Sequence, residues 1–188
     1  MSDFEFMFAL YGLLLGLSIA EVLSGFARSV EERLHGTARL RIGWLSPLLA
    51  TFVLLDLLSF WAAAWVVRGS VRVSGESLML VTLFAGAYYM AARLVFPRDL
   101  DSLGSLDEHF FRVRRIVIGI LLVLLAVQIG WYATLPEVAP RLVRPVSLAM
   151  TLILTVLMIL AIALPRGRLL TLVVGGLVAR YVATYLLF

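Results

Sequence analysis

Long apolar runs alternate with short polar ones along this chain, and the length of the runs is the first clue to its fold. About 20 apolar residues cross the hydrocarbon core of a bilayer as a helix. Six stretches reach that length: Phe4–Ala27, Trp44–Val67, Ser77–Phe96, Arg115–Leu135, Val146–Leu164 and Leu169–Phe188. The stretches between them are polar or marked by Pro and Gly. The last, "PRGR", is so short that the final two helices must be antiparallel neighbours. Two helix starts carry a capping-box pattern, "SDFE" from Ser2 and "SLDE" from Ser105, in which Ser accepts from a first-turn N–H and Glu reaches back to the Ser amide. The second places the start of helix four near Leu106, ahead of its membrane entry after Arg115. The pattern predicts an all-α integral membrane protein, a single six-helix transmembrane domain over residues 1–188. "MSDFEFMF" lacks the basic n-region of a secretory signal, so the first span is expected to be retained.

Composition fixes the solvent. With 62% hydrophobic and 15% charged residues and a mean hydropathy of +1.03, the chain has more apolar surface than a soluble domain of its size could hide. Absence of Cys excludes disulfides, thiol catalysis and thiolate metal sites. A net charge of +4, carried by 16 Arg and no Lys, would suggest nucleic acid in a soluble protein. Here the arginines flank apolar segments, where lipid phosphates and the positive-inside rule account for them, and no nucleic-acid partner is expected. Eleven of them fall in the first, third and fifth loops and four in the other two. That asymmetry predicts N-out and C-out termini, with the Arg-rich loops cytoplasmic in a bacterial-type inner (plasma) membrane.

A faint internal repeat sets residue n against n + 107, matching Phe4 with Phe111, Gly12 with Gly119 and Glu21 with Gln128. Three helices per half would make it a 3+3 inverted repeat, as in many transporters. The register is lost in helices two and five.

Charge inside the spans is the chemistry worth locating, because an ionisable group at mid-membrane costs roughly 2.5–3.5 kcal/mol and needs a partner. At about 1.5 Å per residue, Asp56, Arg180, the sole side-chain amide Gln128, and Tyr88 and Tyr89 all fall near one depth. They form a candidate transport layer in which Asp56 is expected to pair with Arg180. Glu21 and Arg93 lie nearer the cytoplasmic face and form a second expected pair, with Arg28 as rival partner for Glu21. Either pair could serve packing alone; Glu21, near the interface, is read as the structural carboxylate and Asp56, with an amide and phenols at its depth, as the functional one.

Gly12, Gly16, Ala20 and Ser24 recur every fourth residue, a small-residue stripe that would let another helix, of this chain or a second copy, come close. Ser147, Thr151 and Thr155 form a hydroxyl stripe, with back-bonding to the helix as the plainer reading. Trp44, Trp65 and Trp131 read as interface anchors and Trp61 as packing. Asp99, Asp101, Asp107, Glu108 and His109 crowd one loop but lack EF-hand or HExxH spacing, so a solvated acidic helix start is favoured over a metal site. With no nucleophile motif, phosphate loop or intramembrane His, no catalytic residue, metal or cofactor is nominated and the chain is read as non-enzymatic. The reading is therefore a small channel or transporter for an ion or small solute, homo-oligomeric or with a membrane-protein partner. Its rival is an accessory or assembly subunit whose ion pairs are purely structural.

Overall fold

In the computed structural model, which describes residues 3–35, 43–97 and 105–187, each long apolar run folds as one helix. These are α1 (Asp3–His35), α2 (Leu45–Val66), α3 (Gly75–Val95), α4 (Leu106–Ala133), α6 (Pro145–Ala163) and α7 (Arg168–Leu187), with a four-residue turn of helix, α5 (Ala139–Leu142), between α4 and α6. All six long helices are long and apolar enough to cross a membrane. Large apolar side chains such as Leu13, Leu83, Val123 and Leu172 stay exposed on the outside of the bundle, the arrangement lipid stabilises and water would not. Ser2, Arg39, Arg41, Arg98, Asp99 and Asp101 lie outside the described residues.

Consecutive helices pack as neighbours with α2 at the centre, touching α1, α3, α4 and α7, while α6 closes the bundle against α4 and α7. The expected antiparallel contact of α6 with α7 is present. The repeat finds no support in the packing: α1 lies along α3, whereas their counterparts α4 and α7 make no close backbone approach among the described residues.

Helix α1 buries a different face from the one its small residues mark. Tyr11, Leu15, Ser18, Val22, Gly25 and Ser29 alternate in steps of four and three and are buried, the spacing of a helix–helix seam. The buried hydroxyls of Ser18 and Ser29 donate to Leu14 O (3.0 Å) and Gly25 O (2.8 Å), so the seam leaves them satisfied. Gly16, Ala20 and Ser24 are exposed, and nothing lies within 4 Å of a Cβ built on Gly16. Close approach occurs instead at Gly12, where a Cβ would stand 2.8 Å from Trp61, and at Gly25, where it would overlap Phe96. Every-fourth-residue spacing drifts around a 3.6-residue helix, so only one end of the stripe can meet a given neighbour.

The end of the bundle opposite the N-terminus is tied by side chain to backbone bonds. Asp107 Oδ1 accepts from Leu45 N (3.2 Å) at the start of α2, and Ser46 Oγ donates to Leu106 O (2.7 Å). A carboxylate there satisfies an otherwise unpaired N–H and meets the positive end of the helix dipole. Gly43 makes room for it, since a Cβ at that position would overlap the Asp107 carboxylate. Ser105 caps α4 by accepting from Asp107 N (3.1 Å), but Glu108 bonds Arg112 (3.0 Å) and not the Ser105 amide, so only half of the expected box forms. A true box appears at Ser74 and Ser77, whose hydroxyls each accept from the other's backbone N–H.

Arg114, grouped by sequence with the loop arginines, is buried and donates to Ala161 O (3.2 Å) and Leu164 O (2.6 Å). It thus caps the carbonyl end of α6. His109 Nε2 sits 3.0 Å from Leu94 O, so Asp107 and His109 bond backbone, and no group of three metal-ligating side chains meets among the described residues.

Candidate functional site

Asp56 sits in the middle of α2 on the face formed by Leu49, Phe52, Val53 and Leu57, all buried. Spacing of 3, 1, 3 and 1 along the helix turns that face inward. Only 8% of Asp56 is exposed. Its Oδ2 accepts from the Tyr88 hydroxyl of α3 (2.7 Å), and its Oδ1 accepts from the Tyr181 hydroxyl of α7. Tyr88 and Tyr181 are themselves buried. Three helices thus meet at one carboxyl group through two neutral hydroxyls. Hydroxyls of this kind serve either form of the carboxyl, donating to the anion or accepting from the acid.

The expected Asp56–Arg180 ion pair is not made. Arg180 is on the next residue of α7, about 100° around the helix from Tyr181, and its guanidinium lies over the Tyr181 ring at 4.6 Å. Its Nε is buried without a hydrogen-bond partner among the described residues. Equal depth did not imply equal direction: Leu170, Val173, Val174 and Leu177 define the buried face of α7, and Tyr181 continues it. Tyr181 is the partner the sequence reading lacks: its step of four from Leu177 stands out only once the buried face of α7 is known.

The remaining members of the expected layer separate. Tyr88 is at the site, but Tyr89, one residue on, is 39% exposed and faces away from the bundle. Gln128 donates to the Tyr132 hydroxyl (3.1 Å), which donates to Ala63 O (3.1 Å). Gln128 therefore belongs to the wall of the cavity at the N-terminal end of the bundle and not to the Asp56 site. Glu21 and Arg93 do come together, bonded through Oε1 and Nη1, with side chains 20% and 28% exposed. Arg28 is not needed.

A cavity of about 420 Å³ opens at the N-terminal end of the bundle, between the starts of α1 and α3 and the ends of α2 and α4. Its walls are aromatic: Phe8, Phe60, Phe84 and Trp131 among others, with Phe60 and Phe84 stacked at 4.5 Å. Tyr11, Gln128 and Tyr132 supply its inner polar groups, and Ser70, Arg72 and Ser77 its rim. Phe60 connects this cavity to the carboxyl site, packing on Tyr11 (5.7 Å) on one side and on Tyr88 (5.2 Å) on the other. The rim is held by Asp3, whose carboxylate accepts from Val73 N (3.1 Å), and by the ladder Phe4–Trp65 and Phe8–Trp61 that binds α1 to α2. The depth of charged residues carries no sign of this cavity, whose walls are aromatic residues at the outer ends of four helices.

Fold and site together define a multi-pass, all-helical membrane protein with a hydroxyl-held carboxyl group beneath an aromatic cavity. No protein-family model, curated protein or solved structure matches the chain.

Proposed function

We propose that the protein is a small transporter or channel that passes an ion or small solute along the line from the aromatic cavity to Asp56. The observation that carries this reading is the partner set of Asp56: a carboxyl in mid-span, held by hydroxyls from two other helices and by no ion pair among the described residues, with Phe60 linking it to an open cavity. A purely structural carboxylate in lipid is better served by a charged partner, as Glu21 is by Arg93. When the carboxyl is protonated, two tyrosyl hydroxyls can turn from it to a passing solute without leaving a bare charge behind. The polar layer is then Asp56, Tyr88 and Tyr181, with Arg180 flanking it and Gln128 placed higher, at the cavity.

In this reading the Arg-rich loops face the cytoplasm, the cavity opens to the outer side, and the host is a bacterial-type inner membrane. Flux of ions and small solutes into proteoliposomes, compared for wild type, Asp56→Asn and Arg180→Gln at matched folding, is the test. Loss of flux in Asp56→Asn with retention in Arg180→Gln is expected. Absence of flux from wild type across a broad panel would sink the transport reading.

A second reading is favoured by one observation. Gly16, Ala20 and Ser24 remain uncovered on α1, a surface suited to close approach by a helix of another copy or another membrane protein. In an accessory subunit this face would hold a partner, and a stoichiometric membrane protein would co-purify with wild type and be lost on Gly16→Leu.

A further inference from the structure

We infer that the aromatic cavity is a binding site for a flat, uncharged ring compound carrying a carbonyl, with the Tyr11 hydroxyl as its hydrogen-bond donor. The inference starts from an unmet need. Tyr11 lines the cavity, is 7% exposed, and its hydroxyl is buried without a hydrogen-bond partner among the described residues. A buried hydroxyl left unpaired costs about 1–3 kcal/mol, and an acceptor that arrives from outside the chain would relieve that cost.

Three features of the cavity narrow what that acceptor belongs to. Its volume, about 420 Å³, falls among small-molecule sites, which span roughly 300–1,000 Å³. Its walls present ring faces and edges from Phe8, Phe60, Phe84 and Trp131, which favour a planar π-system in offset or edge-on contact. An aromatic cage also suits a quaternary ammonium, but the cavity lining carries the cation Arg72 and no carboxylate, and the Asp3 carboxylate at the rim is taken up by Val73 N. An anion is disfavoured at the far end, where the polar groups are the neutral Tyr11, Gln128 and Tyr132. What remains is a neutral ring whose carbonyl reaches Tyr11.

The cavity as the access to Asp56 rests on the transport reading, but the binding does not, and the experiment is chosen accordingly. Menadione is titrated into the purified full-length protein in nanodiscs, following Trp131 fluorescence and thermal stability, beside naphthalene (the same ring system without an acceptor), decanoate and benzyltrimethylammonium. Menadione is expected to bind best, and naphthalene about fivefold more weakly, the loss of one neutral hydrogen bond. Tyr11→Phe is expected to weaken menadione by the same factor and to leave naphthalene unchanged. Trp131→Phe should remove the fluorescence change and keep the thermal shift. Equal binding of menadione and naphthalene to wild type overturns the inference with no variant needed. So does preference for decanoate that Arg72→Gln abolishes, preference for benzyltrimethylammonium, or no binding at all. Menadione binding through Tyr11 in a protein that moves no solute leaves the site standing and removes the transport reading; flux without binding does the reverse.

Discussion

Two carboxylates sit on neighbouring helices of this protein and are stabilised in opposite ways. Glu21 on α1 bonds Arg93 of α3, and both side chains remain partly exposed at 20% and 28%. Asp56 on α2 is 8% exposed and takes hydroxyls from Tyr88 and Tyr181. Where solvent or headgroups reach, a charge pair fixes two helices at modest energetic consequence, typically about 0–1 kcal/mol for an exposed pair. Where they do not, a full ion pair must overcome the desolvation of both partners, and neutral donors avoid half of that cost. The comparison teaches that the partner type, more than the presence of charge, separates a packing carboxylate from one that is free to exchange a proton or ligand.

The comparison breaks most sharply at Asp56 itself. Asp56→Ala leaves the Tyr88 and Tyr181 hydroxyls buried without their acceptor, at about 1–3 kcal/mol each. A total loss of about 3 kcal/mol, read as a lower unfolding midpoint in nanodiscs, is expected. Asp56→Asn keeps one acceptor oxygen and should lose about half as much. If Asp56→Ala unfolds no more easily than wild type, the two hydroxyls are not held as described.

Next in size are the donors. Tyr88→Phe and Tyr181→Phe each remove one hydrogen bond to a carboxyl group while keeping the ring, and a loss of about 1.5 kcal/mol apiece is expected for bonds of this kind. Because they share one acceptor group, the double variant should depart from the sum of the singles. Strict additivity would show two independent contacts and weaken the case for a single three-helix site.

How much of this was readable beforehand follows from the same two residues. Depth alone matches Glu21 with Arg93, and the pair forms although α1 buries the Tyr11–Ser29 seam and not the face its small residues mark. Asp56 and Arg180 lie on α2 and α7, which are apolar all round, and such helices give no face by which to orient a side chain. Depth alone then paired Asp56 with the strongest charge at its level when its partner was the neutral residue beside it. Span number, helix order and the α6–α7 turn were legible because they depend on run length. The cavity was not, because it arises where four helix ends splay apart, a tertiary property with no local pattern. Arg114 was misread for a related reason: its role as a cap for α6 exists only once α4 and α6 are side by side.

On the other side of the comparison, Arg93→Gln should cost about 0–1 kcal/mol, since Glu21 retains exposure and loses only its charged partner. Exchanging the two, Glu21→Arg with Arg93→Glu, should restore most of that loss. A cost as large as that of Asp56→Ala would place Glu21 in the same class as Asp56 and erase the distinction drawn between them.

The smallest effect is expected at Arg180, and it is the sharpest test of whether Asp56 is truly held by hydroxyls. The Arg180 guanidinium rests on the Tyr181 ring, and its Nε has no hydrogen-bond partner among the described residues. A cation over a buried aromatic ring such as Tyr181 contributes about 2 kcal/mol, and that gain is set against the cost of keeping Arg in an apolar span, roughly 2.5–3.5 kcal/mol at the centre. Arg180→Leu should therefore leave the unfolding midpoint unchanged or raise it, while Arg180→Gln should be near neutral. If Asp56 instead depended on Arg180 for charge, removing the guanidinium would strand a buried carboxylate, and breaking such a pair costs about 3–5 kcal/mol. The two outcomes differ in sign as well as size. A midpoint that falls with Arg180→Leu as far as with Asp56→Ala would reinstate the ion pair and return Tyr88 and Tyr181 to supporting roles.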